Sequence, residues 1–261
     1  MFPDIANVRR IREALWRHSP SGNASIMIGS GFSRNAEPAT SSARPMPTWP
    51  AMAKALCLPL YPVGDDLQRR ALEEAGGTSG FLRLAQEFHI AFGATALNDC
   101  IRNLVPDTEY RPASLHKRLL RLPWADVFST NWDTLLERAC SDVFDRSYDI
   151  VRTPEDIPST TRPRIVKLHG TFPSHAPFVF TEEHYRTFPV AFAPFVNLVQ
   201  QSMMETIFCL IGFSGDDPNF LHWSGWVRDN LGASAPKIYL VGWLDLSNHR
   251  RRMLEARNVN P

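Results

Sequence analysis

What most constrains the fold of this chain is an alternation that fills its second half. Short apolar runs, "ADVFST", "YDIVRT", "RIVKLHG", "TIFCLIGF" and "KIYLVG", recur there. Between most of them lie stretches with apolar residues three or four apart: "WDTLLERAC", the segment from about Glu182 to Met204, and "PNFLHWSGWVRDNL". Runs of Val, Ile, Leu and Phe without polar alternation suit strands buried on both faces, and the helices between them supply the crossovers. An earlier run, "ASIMIG", belongs to the same pattern. The predicted fold class is therefore α/β, a mostly parallel sheet with helices on both faces.

The first half is organised differently. "MFPDIANVRRIREALWRH" places Ile5, Val8, Ile11 and Leu15 at helical spacing and lacks the apolar centre of a signal peptide. A turn cluster, "SPSGN", precedes the "ASIMIG" strand, which opens into the glycine loop "GSGFSRNA". The Pro- and Ser-rich "EPATSSARPMPTWP" excludes regular structure until Thr48 and Pro50 start a helix through "AMAKALCL". From about 65 to 121, "DDLQRRALEEAGG", "FLRLAQEFHIAFG", "LNDCIRNLV" and "SLHKRLLRL" all read as helices. The expected division is a core at 24–50 and 122–245 with a helical insertion at 51–121. The tail "LSNHRRRMLEARNVNP" reads as a helix that simply stops, which suggests the N-terminal part of a longer protein.

Composition narrows the function classes. Of 261 residues 44% are hydrophobic, enough for one sizeable core. Lys and Arg total 28 against 27 Asp and Glu, so no long-range field steers the chain toward nucleic acid or an acidic membrane, and neither is an expected partner. Cys57, Cys100, Cys140 and Cys209 form no C-x-x-C pair, which points to reduced thiols, a cytoplasmic chain and no structural zinc. The longest apolar run, "IFCLIGF", is too short to span a bilayer.

In an open parallel sheet, ligands sit beyond the carboxyl ends of the strands. Four such ends carry polar groups. "GSGFS" offers glycines and backbone amides that suit a phosphate, or merely a tight turn. "STNWD" supplies Thr130, Asn131 and Asp133; taken alone, Asn131 reads as a helix N-cap bonding the amide of Asp133 or Thr134. "KLHG" places His169 directly after an apolar strand and before Gly170; taken alone it reads as a structural histidine, or as an imidazole suited to general-base work. "GFSGDDPN" exposes Ser214, Asp216, Asp217 and Asn219, a turn followed by an Asp or Asn cap. His175 and His184 read as exposed loop residues rather than metal ligands, and Trp223 with Trp226 as one buried helix face. Taken together, a single nucleotide pocket with a general base accounts for all four ends.

As an ordered set, "GSGFS", "STNWDTLLE", "KLHG" and "GFSGDDPN" resemble the sirtuin-like NAD-binding domain, most closely its bacterial branch in anti-phage defence. The resemblance runs from about Ala24 to Gly242. It implies a Rossmann-like sheet with a helical small module, and NAD+ as substrate. By position, Gly29, Ser30, Gly31, Phe32 and Ser33 would hold the pyrophosphate, with Arg34 a further phosphate contact. Asn131, beside Thr130, would face the nicotinamide ribose, with Asp133 less directly involved. His169 would be the catalytic base, and Gly212, Ser214 and Asp216 would line the ribose and adenine side.

Deacylating sirtuins carry two zinc-binding C-x-x-C pairs, which this chain cannot build. The branch resemblance therefore implies an NAD+ glycohydrolase that depletes NAD+ in abortive infection without a metal. It also implies gating by a HerA-type ATPase, a short Argonaute or a C-terminal sensor, usually within an oligomer. An NAD-dependent protein deacylase and a non-catalytic NAD or ADP-ribose sensor are the alternatives that the residues leave open.

Overall fold

The structure, a computed structural model, describes residues 4–17, 22–173 and 178–261. His175 and part of the "SPSGN" turn lie outside them. A seven-stranded sheet runs in the order β5-β6-β4-β1-β7-β8-β9, and each of its pairings is parallel. Its strands are β1 (Ala24–Ile28), β4 (Asp126–Ser129), β5 (Asp149–Val151), β6 (Arg164–Lys167), β7 (Ile207–Ile211), β8 (Ile238–Val241) and β9 (Val259–Asn260). A separate antiparallel ribbon pairs β2 (Glu37–Pro38) with β3 (Tyr110–Arg111).

Side chains alternate across the sheet with the strand period of two. Met27, Phe128, Val166, Phe208, Leu210 and Leu240 face one core, with α8 (Glu182–Ala191), α9 (Ala193–Glu205), α10 (Pro218–Leu231) and α11 (Asn248–Ala256) packed over it. Ile26, Ile28, Val127, Ile165, Cys209 and Tyr239 face the other. That second face is covered by α1 (Ile5–Leu15), α6 (Ser114–Leu120) and α7 (Leu135–Cys140). Both faces are thus buried, which explains why the runs lack polar alternation. This is the Rossmann-like α/β architecture expected from the sequence.

The short α2 (Ser30–Ser33) follows β1 directly. As expected, the Pro-rich stretch stays irregular apart from β2, and Thr48 Oγ1 accepts from Ala51 N at 3.4 Å to start α3 (Trp49–Leu60). Next come α4 (Asp66–Glu74) and α5 (Thr78–Leu104), the latter broken at Gly93, where φ is +84°. α3 and α5 bury Met52, Leu56, Phe81, Leu82 and Phe88 in a third core, with Ala71 and Leu72 of α4 packed against it and Phe172, Phe178 and Phe180, which lie between β6 and α8, closing it.

Three sequence expectations need correction. The tail does not end as a helix: after α11 the chain forms β9, which pairs with β8 and extends the sheet. Trp223 is fully buried but Trp226 is 41% exposed, so the pair is not one buried face. His184 is not an exposed loop residue: it lies half-buried on α8, where its Nδ1 accepts from Phe180 N and Thr181 N.

Candidate functional site

The sheet topology determines where a cleft can open. β1 lies between β4 and β7, and the chain continues outward in both directions from it. At this switch point the loops leaving β1, β4 and β7 diverge, the usual place for a ligand in an open α/β sheet. A cavity of about 500 Å³ lies there.

Gly29, Ser30, Gly31, Ser33 and Arg34 line it from the loop after β1. Phe32, expected among them, does not: its side chain is buried in the core, 4.8 Å from the His116 ring. The glycines answer first to packing. A Cβ on Gly29 or Gly31 would meet Gly212 O at 2.5 or 2.9 Å, because the loops after β1 and β7 touch backbone to backbone. Gly212 itself has φ +61°, the left-handed region in which a side chain is strained.

Thr130, Asn131 and Asp133 line the cavity from the loop after β4. Asn131 does not act as a cap. Its Nδ2 donates to Gly29 O at 3.1 Å and Ser33 Oγ at 2.8 Å, so it faces the glycine loop and not the amides of Asp133 or Thr134. Its Oδ1 is buried without a protein partner, an acceptor available to a ligand donor. Asp133 Oδ2 accepts from Ser33 Oγ at 2.6 Å and its Oδ1 from Leu135 N at 3.2 Å. Burial pushes its carboxyl pKa up, and nearby Lys167 partly opposes that shift.

His169 joins the cavity from the end of β6 and is 2% exposed. Burial pushes its pKa below the usual value while Asp217 pulls the other way, so the neutral ring is favoured at neutral pH. From the loop after β7 come Gly212, Ser214, Asp216 and Asp217. Asp216 is already engaged: Arg250 donates to its carboxylate, and Arg257 Nη1 stands 3.5 Å away. Asp217 caps α10, accepting from Phe220 N at 3.0 Å, as the turn-and-cap reading anticipated.

The remaining walls were not anticipated. Met46, Trp49, Met52, Phe81, Trp132 and Phe180 give the cavity an apolar arm toward the helices, and Tyr185 stands beside His169. Of these only Trp132 adjoins residues that the sequence had placed in the pocket, Asn131 and Asp133. Tyr185 reaches His169 from α8, through packing that no local pattern displays. Among the described residues there is no group of three or more His, Cys, Asp or Glu that could hold a metal ion. Nor is any helix there long and apolar enough to cross a membrane.

A family profile described as "SIR2-like domain" matches residues 125–261, from the start of β4 to the end of the chain. The chain belongs to the SIR2-like domain family. Three of the four motifs that carried the resemblance fall inside that match. Among similar curated proteins, the "NAD(+) hydrolase ThsA" of Acinetobacter baumannii is 31% identical over 116 residues, covering 41% of this chain and 23% of that protein. The ThsA of Bacillus cereus is 27% identical over 107 residues, covering 40% and 22%. "Defense-associated sirtuin 2" of Bacillus subtilis is 25% identical over 166 residues, covering 62% and 16%. These SIR2-like relatives are named for NAD(+) hydrolysis and for defence, the branch that the motifs resemble. The chain spans less than a quarter of the length of each.

Proposed function

We propose that this domain is an NAD+ glycohydrolase of anti-phage defence, releasing nicotinamide and ADP-ribose. The observation that carries the reading is convergence: Asn131, His169 and the glycine loop, from three separate strands, line one cavity. The amides of Gly29, Gly31 and Phe32 already donate to Ile211 O, Gly212 O and Gly29 O, so in the glycine loop it is the Arg34 guanidinium that suits a pyrophosphate, and the unpaired Oδ1 of Asn131 suits a ribose hydroxyl or a water.

In the proposed reaction the bond from ribose C1′ to the pyridinium nitrogen breaks. Its electron pair leaves with nicotinamide, which departs neutral. Positive charge builds on the ribose, as in glycoside cleavage generally. Asn131 orients water toward C1′, a new C–O bond forms, and His169 takes the proton. Asp133 serves at one remove, fixing Ser33 and through it Asn131. A positioned base of this kind contributes roughly 10² to 10⁴-fold in rate. Uncontrolled NAD+ loss would harm the host, so the proposal includes restraint by a partner or a further region of the protein within an oligomer.

The test is nicotinamide release from NAD+, measured with and without an acyl-lysine peptide, for the wild type and for Asn131→Ala and His169→Ala. Release independent of peptide, and lost in both variants, is expected. Release only with peptide would instead make the domain a deacylase. Tight NAD+ binding without turnover, even in the full assembly, would make it a sensor.

A further inference from the structure

His169 lines the cavity but Asn219 does not. Asn219 nevertheless stands with its side-chain amide 3.2 Å from His169 Nε2, and it is only 3% exposed. It sits on the first turn of α10, whose N-terminus is already capped by Asp217. The helix therefore does not need Asn219 as a cap. Two aromatic edges fix the imidazole plane, Tyr185 at 5.4 Å and Phe188 at 5.6 Å between ring centroids. Tyr185 is held in turn by its hydroxyl, which donates to Asp217 Oδ2 at 3.0 Å. Among the described residues, Asn219 is the hydrogen-bonding partner of the ring, and it engages Nε2 alone.

We infer that Asn219 is a positioning residue that determines which nitrogen of His169 carries the proton, keeping Nδ1 for the substrate. The inference rests on the reading of His169 as base. A neutral imidazole has one N–H and one lone pair. With Asn219 Nδ2 donating, Nε2 holds the lone pair and Nδ1 the proton, a resting form that cannot accept at Nδ1. For Nδ1 to take a proton, the N–H must move to Nε2 and find an acceptor. A half-turn of the Asn219 amide presents Oδ1 in the same place, since its two ends are nearly equal in size. The same acceptor then serves the imidazolium. A base oriented by a third group is a recurring arrangement in catalytic sites, and a primary amide is the side chain that can answer both tautomers. The titratable groups facing the ring are Asp217, from the loop before α10, and Tyr185, from α8.

The test combines ¹⁵N-imidazole NMR with kinetics on the full chain, for the wild type, Asn219→Leu and Asn219→Asp, with His169→Gln to assign the signals. Leucine keeps the volume but offers neither end of the amide, whereas aspartate offers acceptors only. We expect Asn219→Leu to shift the tautomer-sensitive signals of His169. It should also lower kcat about tenfold to a hundredfold, a share of the general-base contribution, with KM for NAD+ changed less than about twofold because Asn219 lies off the cavity. Asn219→Asp should raise the His169 titration midpoint by about one unit or more and carry the acid limb of the rate profile with it. His169 signals and midpoint unchanged in both variants would overturn the inference, as would a melting loss with kcat intact. The spectra need no turnover. A wild-type protein that releases no nicotinamide even in the full assembly therefore sinks the hydrolase reading, while the spectra still decide whether Asn219 orients the ring. Should Asn219→Leu fail to fold, the isosteric aspartate variant carries the test.

Discussion

Asn131 Nδ2 donates to Ser33 Oγ at 2.8 Å, tying the loop after β4 to the loop after β1. Ser33 Oγ donates in turn to Asp133 Oδ2 at 2.6 Å, so the three side chains form one directed network. Asn131→Ala removes two donated bonds but also an unpaired buried acceptor, and these costs partly offset. Its unfolding free energy should fall by about 1 kcal/mol. Nicotinamide release should fall by about 10² or more, the loss typical of one preorganised polar contact at a reacting centre. Urea unfolding and a nicotinamide assay separate the two effects. Wild-type turnover in this variant would remove Asn131 from the chemistry.

Gly212 and Gly93 allow a controlled comparison. Both have positive φ, +61° and +84°, but a Cβ on Gly212 would meet Phe32 N at 2.2 Å, whereas one on Gly93 meets nothing within 4 Å. Gly93, at φ +84° and ψ 169°, lies in a region nearly closed to side chains, so Gly93→Ala should cost the conformational penalty alone, about 1–3 kcal/mol. Gly212→Ala adds a backbone collision and must push the glycine loop aside. We expect a loss of at least about 3 kcal/mol, in the upper range for single substitutions, together with weakened NAD+ binding. Equal unfolding midpoints for the two variants would show that the contact between Gly212 and the glycine loop is not tight in solution.

Which parts of this were legible in sequence follows from how far each signal reaches. The buried strands declared themselves because both faces are covered, so "IFCLIGF" needs no alternation to be read. β9 did not, since "VN" is too short for any pattern and forms only because β8 offers a free edge. The loops after β1, β4, β6 and β7 could be set side by side because a parallel sheet gathers its strand ends. What Asn131 bonds to could not, as Ser33 lies 98 residues away and a local rule naturally offers the nearer amides of Asp133 and Thr134. Ser33 itself was read as a phosphate contact, yet its hydroxyl is committed to Asp133. Asn219 reads in sequence as an exposed member of the turn after β7 but is 3% exposed, and its place, like that of Tyr185, comes from packing against His169 that no local pattern displays.

Lys167 and Glu137 form a buried pair beneath the loop after β4. Lys167 Nζ donates to Asp133 O at 2.6 Å and lies 3.3 Å from Glu137 Oε1, which also accepts from Thr171 Oγ1 at 2.9 Å. The side chains are 1% and 9% exposed, so neither charge can turn to water. Lys167→Met strands the carboxylate and should cost about 3–5 kcal/mol. Adding Glu137→Gln removes the stranded charge, and the double variant should recover about half of the loss or more. A double variant no more stable than Lys167→Met would show that the carboxylate was never left uncompensated.

His116 makes stability depend on pH. It lies on α6 with Nδ1 accepting from Ala113 N at 3.2 Å, and its buried Nε2 has no partner. Burial pushes its pKa down to about 4, against 6.5 for an ordinary histidine. Between these values the unfolded chain binds a proton that the folded chain refuses, so acid favours unfolding. The contribution is fully present above pH 6.5 and is lost as pH falls toward about 4. At 1.36 kcal/mol per unit it amounts to about 3 kcal/mol. His169 and His184, also pushed down by burial, act in the same direction. Asp133, pushed up, acts in the opposite one. His116→Gln keeps an acceptor for Ala113 N and does not titrate. Urea unfolding at about pH 7.5 and about pH 5 should therefore show a smaller drop for the variant than for the wild type. Equal drops would mean that the His116 ring reaches water in the folded protein and titrates as it does in the unfolded chain.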